Sequence, residues 1–256
     1  KKDKNISVDN FIDSDPKKIK WTRALKKSLE NNNEFSFSKK CTIKSVYRPF
    51  NKQFLYFDKS FIESPGLSDR FFPNSNFDNI LLTIPGTGAV KDFYVLATDS
   101  VRDLDTYGGC QCFPLFYYEE NSLQNPSLFD SNNDLGFTKR DGISDFILER
   151  AKKQYGKNVT KEDIFYYVYG FLHNPEYRIT FANDFKKMLP HLPLVDEPKE
   201  FWKFSKAGRE LAELHVKYEN VEPYPKVKVT GDNGKFYTVE KMRFPAKDRK
   251  DSIIYN

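Results

Sequence analysis

Thr160-Lys161-Glu162-Asp163-Ile164-Phe165-Tyr166-Tyr167-Val168-Tyr169-Gly170-Phe171-Leu172-His173-Asn174-Pro175 decides how the chain must fold. It begins with a capping-type sequence and continues as a helix that is apolar on nearly every side, from Ile164 to Leu172. A helix without a polar face cannot lie on a surface, so other elements must cover it. The neighbouring pattern supplies them. Helices are predicted over Gly142–Tyr155, over Glu176–Leu189 after Pro175, and over Lys199–Tyr218, which carries Trp202, Phe204, Leu211 and Leu214.

Upstream the period changes from helical to β. Short runs at Thr42–Tyr47, Gln53–Phe57, Ile80–Ile84, Phe93–Thr98 and Cys112–Tyr118 are separated by Pro, Gly, Asn and Asp. Residues 1–16 read as a polar linker. Pro16 then opens a helix through Ile19, Trp21, Leu25 and Leu29 that ends at Asn31-Asn32-Asn33. Residues 121–136 read as an exposed loop. Strands are predicted again over Lys226–Thr230 and Phe236–Phe244 about the turn Asp232-Asn233-Gly234, and another strand-like run starts at Ser252. The expected fold is α+β. A mixed or antiparallel sheet fills the first half, a helical subdomain the second, and a β-hairpin the C-terminus. The expected boundaries are 1–40 for a linker and helix, then 41–135 for a β-rich lobe, 140–220 for a helical lobe and 225–256 for C-terminal strands.

The chain has 256 residues, 39% of them hydrophobic, including 24 Phe and 15 Tyr, enough for one sizeable core built on rings. It starts at Lys1 and carries neither a signal-like apolar run nor a membrane-spanning length, so the expectation is a soluble, cytoplasmic fragment without a membrane partner. The net charge is +5 but unevenly spread. From Lys17 to Lys52 the cations are opposed only by Glu30 and Glu34, and from Lys226 to Lys250 only by Asp232, Glu240 and Asp248. Two basic ends could meet one polyanion; ordinary solvated lysines look the same in sequence.

No active site assembles from these residues. Pro85-Gly86-Thr87-Gly88-Ala89-Val90-Lys91 lacks the Gly-Lys-Ser/Thr of a phosphate loop and reads as a hairpin turn. Glu197-Pro198-Lys199 has the letters of a metal-nuclease strand, but Pro198 cannot serve a central ladder. His173, His191 and His215 have no metal spacing and read as packing or capping residues, and Cys41, Cys110 and Cys112 as reduced thiols. The informative segment is Tyr47-Arg48-Pro49-Phe50-Asn51-Lys52-Gln53-Phe54-Leu55-Tyr56. There, cations suited to phosphate and amide or guanidinium groups suited to base edges alternate with rings. The plainer alternative pairs Arg48 and Lys52 with local acids and puts the rings in the core.

That segment resembles the Tyr-Arg-Pro-Phe-Asp-Lys-Arg signature of adenine-specific DNA methyltransferases fused to restriction enzymes, with Asn51 and Gln53 in place of the usual acid and base. The string from Phe165 to Arg178, Met188-Leu189-Pro190-His191-Leu192-Pro193-Leu194, Gly208 to His215 and Lys241-Met242-Arg243-Phe244 extend the likeness in order from Trp21 onward. The family implied is the single-polypeptide Type ISP restriction-modification enzyme, and the part implied is its C-terminal target-recognition domain. The methyltransferase's Asn-Pro-Pro-Tyr motif is absent, as are the glycine and nucleotide motifs. In the family the strand region after Phe244 usually continues further than Asn256, so the resemblance implies C-terminal strands that are truncated here.

The resemblance thus implies sequence-specific recognition of double-stranded DNA and no catalysis by this fragment. Adenine methylation, ATP-driven translocation and cleavage, with their S-adenosylmethionine, ATP and magnesium, fall to other domains. The methyltransferase domain would be an intramolecular partner. Candidate DNA contacts are Arg48, Asn51, Lys52, Gln53 and Lys91, with Lys139, Arg140, Lys241 and Arg243 on phosphate. Loops around 60–80, 85–92 and 121–140 are further candidates. Two rivals are a structural coupler between methyltransferase and motor, and a small hidden hydrolase.

Overall fold

Helix α5 (Lys161–Leu172) opens on a reciprocal cap: the Asp163 N–H donates to the Thr160 hydroxyl at 3.1 Å, and the Thr160 N–H donates to the Asp163 carboxylate at 3.0 Å. The computed structural model describes residues 7–15, 18–62, 66–89, 92–103, 109–121, 136–231 and 241–254. The chain divides into two units, Lys1–Tyr218 and Glu219–Asn256.

In the first unit the order is α1 (Val8–Phe11), α2 (Arg23–Glu30), β1 (Thr42–Arg48), β2 (Asn51–Tyr56), α3 (Ser68–Phe71), β3 (Leu81–Pro85), β4 (Leu96–Thr98), β5 (Val101–Arg102), β6 (Cys110–Pro114), β7 (Phe116–Glu120), β8 (Phe137–Asp141), α4 (Asp145–Tyr155), α5, α6 (Pro175–Thr180) and α7 (Pro198–Val216). Three small sheets form: β2-β1-β5, β4-β3-β6 and the pair β7-β8. All pairings are antiparallel except β1 with β5.

As the sequence predicts, α5 is buried from Ile164 to Leu172 except at Val168. Its closest neighbour is α7, which opens on Pro198 and turns Phe201, Ser205, Gly208 and Ala212 inward. The two backbones meet at glycines. A Cβ on Gly208 would lie 2.0 Å from the Tyr166 carbonyl oxygen, and one on Gly170 would lie 2.2 Å from that of Phe204. Rings fill the space beside this crossing: Tyr155 stacks on Phe201 at 4.2 Å and Tyr167 on Phe201 at 4.9 Å.

Strand β3 is buried along its whole length because both faces are covered. Leu82 and Ile84 join the helical core, while Leu81 joins Ile43, Phe71, Phe72 and Val101 on the other side. Buried Asn79 joins the two halves. Its amide donates to the carbonyls of Phe71 (3.0 Å) and Phe116 (2.6 Å), and its carbonyl accepts from the Phe116 N–H at 3.1 Å. Between α6 and α7, tyrosines hold an extended strap. Tyr177, Tyr167 and Tyr155 donate to the alternate carbonyls of His191, Pro193 and Val195, at 2.8, 2.6 and 2.6 Å.

Several predicted elements shift. The helix expected from Pro16 runs over Arg23–Glu30, because the Thr22 hydroxyl caps it by accepting from Leu25 and the Trp21 indole N–H donates to Asp13 instead; Pro16 itself lies outside the described residues. The helix expected to Leu189 ends at Thr180 and gives way to turns, with Phe185 stacked on Phe93 at 4.2 Å. The run Cys112–Tyr118 is two strands. After Pro114, the Leu115 N–H turns to Ile80 and its carbonyl to Gly142, so the chain changes partner there. The predicted Phe93–Thr98 strand shortens to Leu96–Thr98. Strand β8 begins where the sequence suggested only loop and helix start.

In the second unit an antiparallel bridge joins Arg243 and Ile254. Residues 227–230 form no ladder among the described residues, and the turn Asp232-Asn233-Gly234 with most of the following strand lies outside them.

Candidate nucleic-acid interface

From Phe35 to Phe57 the chain carries Lys39, Lys40, Lys44, Arg48 and Lys52 and not one Asp or Glu. Lys39 and Lys40 of this run lie in a helical turn, and Lys44, Arg48 and Lys52 on the hairpin β1–β2 that follows it. Its tip is the two-residue turn Pro49-Phe50, flanked by the pair Arg48–Asn51, and Tyr47 is bulged out of register. Pro49 suits the first turn position. Phe50 at φ 57° occupies the left-handed region where a bulky side chain is unusual.

Arg48 and Asn51 are exposed side by side at the tip, and Gln53 is exposed two residues on. The Arg48 guanidinium lies 4.4 Å from the centre of the Tyr47 ring and 3.9 Å from Asp103. Lys52 differs: its side chain is only 15% exposed, and its ammonium donates to the Val216 carbonyl at 3.0 Å and lies 3.6 Å from Asp99. The Phe50 ring meets His215 and Tyr218 edge-on, at 5.4 and 5.3 Å. The hairpin also shows Phe54, 80% exposed and directly opposite Lys44. Both fall in the acid-free run of cations and rings legible in the sequence, but neither is among the candidate contacts named from it.

The Type ISP C-terminal specificity domain profile matches residues 1–256. The chain belongs to this family. Solved structures similar to the specificity domain include the following three. "ATP-dependent Type ISP restriction-modification enzyme LlaBIII bound to DNA" matches with a TM-score of 0.73 and 30% identity over 93% of this chain. A nuclease-deletion mutant of the Type ISP enzyme LlaGI, in complex with a DNA substrate mimic, matches at 0.71 and 31% over 98%. The DrdV–DNA complex matches at 0.70 and 32% over 81%. The specificity domain spans 15%, 17% and 19% of the lengths of those chains. Among curated proteins, none matches it significantly.

Elsewhere on the specificity domain, Lys139 and Arg140 lie exposed on β8. The Lys139 ammonium sits over the Phe116 ring at 3.4 Å, and Arg140 shares Glu119 with Arg70, at 3.0 and 3.4 Å. Lys241 and Arg243 are exposed in the second unit. Lys91 lies outside the described residues. The structure therefore groups Arg48, Asn51, Lys52 and Gln53 on one hairpin and Lys139 with Arg140 on another.

The remaining chemistry-bearing residues pack. The Tyr169 hydroxyl pairs with Nδ1 of His215 and accepts from the Ala97 N–H at 3.2 Å, while the His173 ring stands edge-on to Tyr169 at 4.9 Å. Burial holds His215 below the usual imidazole range and takes His173 down to about 4, helped by the nearby His215 and Arg178. The Cys112 thiol lowers Cys110 to about 6, with Arg102 adding to the effect, and that donation together with burial pushes Cys112 up. Among the described residues no three His, Cys, Asp or Glu side chains converge to hold a metal ion, and no helix is long and apolar enough to cross a membrane. Glu197-Pro198-Lys199 opens α7 and belongs to no strand.

Proposed function

We propose that this specificity domain reads a target sequence in double-stranded DNA, with the tip of the β1–β2 hairpin as its principal reader. The observation that carries this is the acid-free hairpin with Arg48 and Asn51 exposed as an adjacent pair. Guanidinium and carboxamide groups are the ones that match guanine and adenine edges bidentately in the major groove. Gln53 extends the same edge, and Lys139, Arg140, Lys241 and Arg243 supply phosphate contacts, which position a protein without reading sequence. The DNA-bound state of the three similar structures supports the reading.

In this reading the domain is part of a longer cytoplasmic restriction-modification protein. Neighbouring domains carry adenine methylation, ATP-driven motion and cleavage, together with S-adenosylmethionine, ATP and magnesium. The methyltransferase is the intramolecular partner that the reader directs.

The test is selection from a randomised duplex library, followed by affinity measurements across a salt series. Recovery of one motif is expected. Arg48→Ala should cost about 1–3 kcal/mol and relax one position of that motif, whereas Lys139→Ala should weaken all duplexes alike and reduce the salt slope by about one. Salt-sensitive binding without any enriched motif would reject target reading and leave phosphate tracking.

A further inference from the structure

We infer that Lys52 and Phe50 are positioning residues, forming a latch that fixes the hairpin tip on the end of α7 without touching DNA. The inference rests on the reading of the tip as the DNA reader. Lys52 lies in the most basic part of the chain, between two candidate base-reading amides, so its position invites a contact role. Its surroundings oppose that role. The side chain is 15% exposed, and the ammonium bonds the carbonyl of Val216, the last residue of α7. That carbonyl belongs to the set a helix leaves without internal partners, and a cation there also meets the negative end of the helix dipole. Asp99 at 3.6 Å further neutralises the charge.

Phe50 is the second pin, on the other side of Asn51. Its left-handed backbone is unusual for a bulky residue and persists where surroundings fix it. The ring is held edge-on by His215 and Tyr218, beside the same helix end. His215 is tied through Tyr169 to the backbone of Ala97 in β4. The turn is therefore fastened to the buried core at two points, and Asn51 lies between them while Arg48 pairs across from it. A reader held in its working geometry loses less freedom on binding, which raises affinity and discrimination without adding a contact.

The salt slope separates the roles, because only a side chain that neutralises a phosphate releases counterions. The intact domain would be titrated with its enriched duplex as wild type, Lys52→Met, Lys52→Arg, Phe50→Gly and, as the phosphate control, Lys139→Ala. Lys52→Met should weaken binding roughly tenfold, the scale of one charge-assisted hydrogen bond, with the salt slope unchanged and discrimination against mismatched sites reduced. Lys52→Arg should recover most of the loss. Phe50→Gly, which relieves the backbone while removing the ring, should behave like Lys52→Met. Amide exchange across residues 47–53 should accelerate in both weakened variants.

A slope reduced by about one in Lys52→Met, with hairpin exchange unchanged, would overturn the latch and make Lys52 a phosphate contact. If the wild type bound no duplex at all, the reading of the domain would fail separately. Exchange would then decide the latch: faster in the variants supports it, unchanged overturns it.

Discussion

Replacing Gly208 by alanine sets two effects of opposite sign against each other. Alanine favours a helix interior over glycine by about 1 kcal/mol, so on an isolated α7 the change would stabilise. In the folded domain the new methyl would lie 2.0 Å from the Tyr166 oxygen and 2.7 Å from the Gly170 nitrogen, both backbone atoms of α5. Restoring an ordinary 3.4 Å contact requires the helices to part by about 1.4 Å. Such a gap forfeits about half of the attraction between facing groups. The pairs affected are Tyr167–Phe201, Phe171–Phe204 and Tyr167–Phe204, together with the Ser205 hydroxyl that donates to the Asp163 carbonyl at 2.9 Å.

Half of three ring pairs is roughly 1–2 kcal/mol, the hydrogen bond about 1, and residual strain at least 1. Roughly 4 kcal/mol of loss against roughly 1 of gain leaves a net destabilisation of about 3 kcal/mol, or a fall in Tm of roughly 6–12 °C for a unit of this size. Calorimetry on wild type and Gly208→Ala would measure it. Gly86→Ala serves as the control, since a Cβ there meets nothing nearer than 3.8 Å. A Gly208→Ala protein that melts at or above the wild-type temperature would refute the backbone contact between α5 and α7.

Asn79→Ala should destabilise by about 2–4 kcal/mol in urea titration, because it removes the partner of two carbonyls and of the Ile80 and Phe116 N–H groups, all bonded by this 4%-exposed side chain; a loss below about 1 kcal/mol would show the joint to be dispensable. His173 binds its proton near pH 4 when folded and near 6.5 when unfolded, so its contribution to stability is complete above about pH 6.5 and is lost as the pH falls toward 4. The urea midpoint should drop across that window in the wild type and drop less in His173→Gln, and equal slopes would reject the assignment. Cys110, lowered chiefly by the Cys112 thiol while Cys112 is pushed up, should be alkylated by iodoacetamide at pH 7 before Cys112. Equal labelling of the two by mass spectrometry would contradict this.

Much of this architecture was legible because local pattern and burial agree. The absence of a polar face on 164–172 predicts a central helix, and Thr160 with Asp163 predicts where it starts; both hold. The runs on either side of Pro49 predict strands at Thr42–Tyr47 and Gln53–Phe57, which the structure places at Thr42–Arg48 and Asn51–Tyr56, while their pairing as a hairpin was not predicted. Strand β8 was hidden because Phe137-Thr138-Lys139-Arg140-Asp141 is mostly charged and finds its partner in Phe116–Glu120, across a long intervening stretch. Gly170 and Gly208 were visible as glycines inside helices, which signals a packing reason, but nothing in either neighbourhood says that they face each other. Lys52 shows the limit most clearly. Its sequence neighbours are rings, cations and amides, whereas the atom it serves lies 164 residues downstream.

The strap between α6 and α7 is held in a way that a common probe of rigidity would misjudge. Its carbonyls are fastened by three phenols, two of them on α4 and α5 and one on α6, and Gln154 adds a second donor to Val195 at 2.7 Å. Its own N–H groups donate to no backbone partner among the described residues, and Pro193 has none to offer. Deuterium uptake would therefore score 191–194 as fast and loose. Exchange of the tyrosine hydroxyl protons with water would score the same segment as tight, since each O–H must break its bond to a strap carbonyl before its proton can leave.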